Sequence, residues 1–247
     1  EAGEDRLRSE AQRAVERAGT QDAGNVRSLP SIGPRFPWHR PAFPSLKRCS
    51  SGPSVNEPVD VPRPIDEAAR EFDEDHFDDA RRILASLDQR APDVAEVVEL
   101  MGLSQYRLGR YHAAAKTLER FRSLTGSTEQ HPVLADCYRA QGRWVDVDAL
   151  WEELRERSPS AALVTEGRLV AAGALADQDR IAEAVHLLER GWTVPKRPRP
   201  HHLRRAYSLA DLYERSGATP RARELFGWLR RHSPDLADVV QRFESLG

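Results

Sequence analysis

The stretch MGLSQYRLGRYHAAAKTLERF (residues 101–121) decides the fold. Its apolar positions follow a helical period on both sides of Leu108-Gly109, where the pattern breaks. A small residue precedes the break at Gly102, and a second follows it at Ala114. A large residue, Leu118, comes four positions later. Small residues facing each other allow two helices to approach within about 8–10 Å. The stretch therefore predicts a tight pair of antiparallel helices.

The same pattern recurs outward from this stretch. With the turn residue of each pair as anchor, the anchors are Asp75, Gly109, Gly142, Asp179 and Gly217, in steps of 34, 33, 37 and 38 residues. Two residues after them come Phe77, Tyr111, Trp144, Ile181 and Thr219. Five after them come Ala80, Ala114, Val147, Ala184 and Ala222, and nine after them Leu84, Leu118, Trp151, Leu188 and Phe226. The small residue of each first helix recurs as Ala68, Gly102, Ala135, Ala172 and Ala210. Pro92, Pro159 and Pro234 end second helices, with Gly126 doing so in the second pair. No segment reads as a β-strand, because short apolar runs such as LVAAGALA (169–176) are not enriched in β-branched or aromatic residues and sit between helical signals.

This pattern resembles the tetratricopeptide repeat, a helix–turn–helix unit of about 34 residues. The resemblance implies an all-α solenoid of five units at about 61–94, 95–127, 128–164, 165–202 and 203–234, with a capping helix at 235–246. The segments 124–143 and 168–189 are also similar to an uncharacterised tetratricopeptide-repeat family of actinobacteria, which implies a bacterial cytoplasmic protein and brings no activity. Stretched steps, and the linker TVPKRPRPHH (193–202) above all, predict loosened stacking before the fifth unit. Residues 1–60 differ: a short helix is expected at 4–18, and proline, serine and glycine predict disorder over 19–60. Residue 1 is Glu and the only methionine is Met101, so a processed start or a fragmentary reading frame is expected, and a further expectation is an alternative start at Val55.

Composition narrows the function. Hydrophobic residues make up 39% and charged residues 31%, which suits a thin repeat core, and a net charge of −2 gives no global case for nucleic acid or membrane. Cys49 and Cys137 form no metal or redox motif. No run of about 18 apolar residues predicts a transmembrane helix. P-loop, nucleophile-elbow, dinucleotide and zinc-protease signatures are missing from the sequence, so a non-enzyme without cofactor or metal is expected. His131 reads as a helix start, His186 as a surface residue and Cys137 as a small core residue.

The resemblance implies partner binding in a concave groove lined by the first helices. In the register above, that face offers Glu99, Leu103, Tyr106, Arg107, Asp136, Arg139, Tyr207, Asp211, Glu214 and Arg215. Tyrosine and arginine dominate binding energy where they are desolvated. The carboxylate clamp of chaperone-binding relatives is not matched at Glu99, Leu103 and Asp136. The expected partner is a protein or peptide of mixed charge. An alternative expectation is an RNA- or nucleoprotein-associated factor, with Lys196, Arg197, Arg199, Arg204 and Arg205 as phosphate contacts. The acidic first unit predicts a weak tendency to self-associate, through Asp66, Glu67, Glu71, Asp73, Glu74, Asp75, Asp78 and Asp79.

Overall fold

A computed structural model describes residues 62–247. The expected tail, with its helix at 4–18, lies outside the described residues. Eleven α-helices and no strand occur among the described residues. They run α1 (Pro62–Asp73), α2 (Phe77–Arg90), α3 (Ala95–Arg107), α4 (Tyr111–Thr125), α5 (His131–Ala140), α6 (Trp144–Arg157), α7 (Ala161–Asp177), α8 (Ile181–Glu189), α9 (Pro200–Arg215), α10 (Thr219–His232) and α11 (Val239–Ser245). Each odd-numbered helix up to α9 packs on the even-numbered helix that follows it, and each second helix packs on the next first helix. Five helix pairs thus form an all-α solenoid, closed at its end by α11.

The turn inside every pair is the same hydrogen-bonded object. Asp75, Gly109, Gly142, Asp179 and Gly217 all have left-handed backbone, with φ of 64°, 71°, 69°, 60° and 79°. In each turn the anchor N–H donates to the carbonyl three residues back, as Gly109 does to Tyr106 at 2.9 Å. The next N–H donates to the carbonyl five residues back, as Arg110 does to Gln105 at 2.9 Å. These are the two bonds of a Schellman motif, which satisfies carbonyls orphaned at a helix C-terminus. A left-handed residue costs about 1–2 kcal/mol for most L-amino acids, glycine being exempt and aspartate tolerated. Glycine and aspartate are the residue types found at all five anchors.

The core follows the small-then-large register. Ala68, Ala80, Ala114, Ala184, Ala210 and Ala222 have no exposed surface, nor do Leu84, Leu188 and Phe226 nine residues after their anchors. A Cβ at Gly102 would stand 2.6 Å from Leu118 Cδ2, so the close approach there needs glycine. Val147 takes the alanine position of the third pair and is fully buried. Cys137 is buried, and burial pushes its thiol pKa up.

Three boundaries differ from expectation. The fourth pair starts at Ala161 instead of 165, because the Ser160 hydroxyl caps α7 by accepting from the Leu163 N–H at 3.1 Å. The fifth pair starts at Pro200 instead of 203, since proline is suited to a first helical turn. The capping helix begins at Val239 instead of 235, after a left-handed Ala237 with φ of 50°. The segment between α8 and α9 is long but pinned. Arg205 donates to the Leu188 and Arg190 carbonyls at 2.7 Å each, and Arg168 donates to the Arg190 carbonyl at 2.6 Å. Trp192 meets Trp228 edge-on at 6.5 Å.

The anchor geometry yields a pair of opposite effects. Gly109→Ala should lower stability by about 1 kcal/mol, and Asp179→Gly should raise it by about 0.5 kcal/mol. Urea unfolding midpoints check both signs. A loss on placing glycine at 179 would show that the aspartate side chain, and not the backbone, sets that turn.

Candidate functional site

The five first helices touch in sequence, α1 on α3, α3 on α5, α5 on α7 and α7 on α9, which makes one continuous face. Its polar side chains are mostly half-buried, and no side chain of α3 is exposed. The Tyr106 hydroxyl donates to Asp136 Oδ2 at 2.7 Å, and burial together with Asp136 raises the tyrosine pKa well above its usual value. Arg139 bridges two units, with Nη1 at 3.1 Å from Asp136 and Nε at 3.0 Å from Asp177. Room for that guanidinium comes from Gly173, where a Cβ would lie 2.8 Å from Arg139 Nη1. Burial raises the Asp177 pKa, while Arg139 and Arg215 pull it back. Gln130 donates to Glu99 at 2.8 Å, against a burial effect that raises the glutamate pKa. Glu166 and Arg204 form a largely buried ion pair at 2.6 Å. Burial raises the Glu166 pKa and lowers that of Arg204, each opposed by the partner's charge.

The structure divides the residues expected from sequence. Tyr106, Asp136, Arg139 and Glu99 come together on α3 and α5. Arg215 donates to the Ala176 carbonyl at 3.2 Å, which brings α9 to the end of α7. Leu103 and Tyr207 are corrected: they are 5% and 4% exposed and belong to the core. Their helical phase turns them inward, and the Tyr207 hydroxyl donates to Asp238 at 2.5 Å. Arg107 pairs with Asp75 at 2.9 Å and lies 4.1 Å over the Phe77 ring, so it fastens the first pair to the second. Asp211 and Glu214 are held by Arg242 of the capping helix at 2.8 and 2.6 Å. Glu166, Gly173 and Asp177 escaped the sequence reading because they lie in or beside the run LVAAGALA, which reads only as core.

The basic segment is also corrected. Arg204 is committed to Glu166, and Arg205 to two backbone carbonyls and to the Trp192 ring at 5.3 Å. Lys196, Arg197 and Arg199 are not tied into the core in this way. Two of the five expected phosphate contacts thus serve the fold. His131 is nearly fully buried, with Nε2 at 3.1 Å from Glu153, and burial lowers its pKa. His186 is exposed. Glu71, Glu74 and His76 could share a cation, but His76 already lies 3.0 Å from Glu71 in an exposed contact. No helix among the described residues is long and apolar enough to cross a membrane.

Comparison with known proteins agrees with this architecture. Residues 99–124 match the family model of the tetratricopeptide repeat. No curated protein matches the chain. Among solved structures, it is similar to a thermophilic TPR protein of Thermus thermophilus, at 15% identity and a TM-score of 0.57, covering 75% of this chain and 97% of that one. It is also similar to a putative kinesin light chain of Podosopora anserina with nearly identical TPR-like repeats, at 18% identity and a TM-score of 0.55, covering 72% and 96%. The fold is that of a tetratricopeptide-repeat array.

The Glu166–Arg204 pair gives a direct test of how this face is held. Removing one member leaves a buried charge without its partner, so Arg204→Met should cost about 3 kcal/mol. The double change Glu166→Leu with Arg204→Met should cost clearly less than Arg204→Met alone. Denaturant unfolding of the two variants and of Glu166→Leu measures the coupling. Additive losses would show that the two charges do not act on each other.

Proposed function

We propose that this tetratricopeptide-repeat array is a non-catalytic adaptor that holds a segment of a partner protein against the face of its first helices. The observation that carries this reading is the line Tyr106–Asp136–Arg139–Asp177 together with Glu166–Arg204. These polar groups are fixed in place by their neighbours before any partner arrives. Fixed groups lose little side-chain entropy on binding, so more of each contact remains as affinity. Carboxylates and guanidiniums alternate along the face, which favours a partner segment carrying both signs of charge. A nucleic-acid role has less support, because phosphate binding needs cations free of carboxylates and Arg204 is not one of them.

Gly173 offers a way to test the face without unfolding it. Gly173→Gln would project a side chain over Arg139, whose guanidinium is a flexible end that can shift aside. This variant should melt within a few degrees of the unaltered chain and should lose the partners captured from a native lysate. Unchanged capture, read by quantitative mass spectrometry, would remove the first-helix face as the binding surface.

A further inference from the structure

Charge is unevenly placed along the array. Residues 62–94 hold ten carboxylates against five arginines, and residues 196–232 hold ten arginines and lysines against three carboxylates. Part of this charge is used within the chain. Asp75 and Asp78 pair with Arg107 and Arg110, and Asp88 and Asp93 pair with Arg120. In the last pair Arg204 takes Glu166 and Arg221 takes Glu189. Much of the remainder is gathered on one face of α1 and one face of α10.

The outer face of α1 carries Asp66, Glu67, Arg70 and Asp73, with Glu74 just past its end, all exposed. Asp66, Glu67 and Asp73 make no ion pair among the described residues, and Glu74 has only His76 at 3.7 Å. Counted from the anchor, the equivalents of Asp66 and Arg70 on α3 are Leu100 and Ser104, which are buried in the array. This face is thus the open end of the stack, where a preceding unit would pack. The outer face of α10 carries Arg223, Glu224, Gly227, Arg230 and Arg231. Arg223 and Arg230 lie over the Phe243 ring of α11 at 4.8 and 4.1 Å. That ring enters because residue 227 is glycine: a Cβ there would stand 2.9 Å from Phe243 Cε2. Arg223, Arg230 and Arg231 are exposed and make no ion pair among the described residues.

The two faces share one spacing. Counted from Asp66 and from Arg223, their residues fall at i, i+1, i+4, i+7 and i+8. At i, i+7 and i+8 one face has three carboxylates and the other three guanidiniums. Seven residues of helix span about 10 Å, so the charges stand at matching separations. Each stripe is charged at both ends, so opposite charges meet whether the helices run parallel or antiparallel. Glu67 and Glu224 are the like-charged positions, at the edge of each face. The end of a repeat array needs only to be polar, and mixed charge would serve. Here the two ends have opposite sign. We propose that the α1 face of one chain docks on the α10 face of a second copy, with Asp66, Asp73 and Glu74 meeting Arg223, Arg230 and Arg231. The contact is heterologous and leaves each chain a free face, so copies add head to tail. Exposed pairs contribute little each, so the association is weak and sensitive to salt. It would set several first-helix faces side by side for a partner with repeated segments. The line Tyr106–Asp136–Arg139–Asp177 takes no part in it, so this inference and the adaptor role fail independently.

Sedimentation velocity of the full chain tests this. At about 0.01 M salt, where charges act over about 30 Å, the sedimentation coefficient should rise with protein concentration. At about 1 M salt, where they act over about 3 Å, it should stay constant. Arg223→Glu with Arg230→Glu should remove the rise, and so should Asp66→Lys with Asp73→Lys. An equimolar mixture of these two variants should regain it, because an intact α1 face then meets an intact α10 face. Arg90→Glu with Lys116→Glu makes the same change of net charge as the first variant, at exposed residues off both faces, and should leave the rise as it is. A constant coefficient at low salt, a rise that survives about 1 M salt, loss in the Arg90 and Lys116 variant, or no recovery in the mixture would overturn the proposal. So would a chain that stays monomeric while its α10 face holds a fluorescein-labelled single-stranded RNA.

Discussion

The fold depends on one backbone constraint repeated five times, a left-handed residue that ends a first helix and reverses the chain within two residues. Everything else is placed by it. Because Asp75, Gly109, Gly142, Asp179 and Gly217 have nearly equal φ, the second helix leaves each turn in nearly the same direction. The residue after each anchor is equally uniform, with φ between −80° and −91° at His76, Arg110, Arg143, Arg180 and Ala218. A fixed exit direction brings the alanine five residues on against the small residue of the first helix. The large residue nine positions on then falls between one pair and the next. A short-range hydrogen-bond pattern thus sets a long-range packing register.

That dependence explains what could be read from sequence. The anchors show themselves by type, since few residues other than glycine, asparagine and aspartate tolerate left-handed backbone, and by spacing. Alanine and leucine at fixed offsets follow, because burial in a narrow gap admits few alternatives. Helix starts are harder to place. Ser160 moves one by a side-chain hydrogen bond that a single serine among several does not announce. The first-helix face is legible only in part. Tyr106, Asp136 and Arg139 can be placed by helical phase, but the partner of Arg139 is Asp177, a full unit away. Pairing of that kind is hidden when nearly a third of the residues are charged. Gly173 reads as a core residue because its role is to leave room for a guanidinium, and an absence of side chain has no signature of its own.

Charge has two uses in this molecule, and burial separates them. Arg204 with Glu166 and Arg242 with Asp211 and Glu214 are each half-buried or more, where breaking a pair strands a charge. Exposed pairs such as Arg180 with Glu183 or Arg155 with Glu152 lie three residues apart on or beside one helix and add little to stability. The pairs between second helices are intermediate. Arg120 reaches Asp88 and Asp93 with a side chain about one-third exposed, so it orients one unit on the next more than it holds them together.

In a repeat array stability is close to a sum of units and nearest-neighbour interfaces. A weak interface then costs only its own contribution, provided the seam beneath it is intact. The step between α6 and α8 meets that condition. Trp151, Leu154, Leu169 and Ala171 are buried below it, and Gly167 lets α7 approach so closely that an added Cβ would lie 2.4 Å from Leu154 Cδ2. Arg155 above this seam pairs with Glu152 of its own helix, and among the described residues no ion pair joins α6 to α8, so the apolar seam carries this step. Positions freed from a structural duty in this way are the ones a solenoid can give over to recognition. The other second helices are joined by Arg120–Asp88, Arg122–Glu153 and Arg221–Glu189, while the packing underneath does not differ in kind. That separation of a repeated register below from a changed pairing above is how a repeat array can vary its surface without loosening its core.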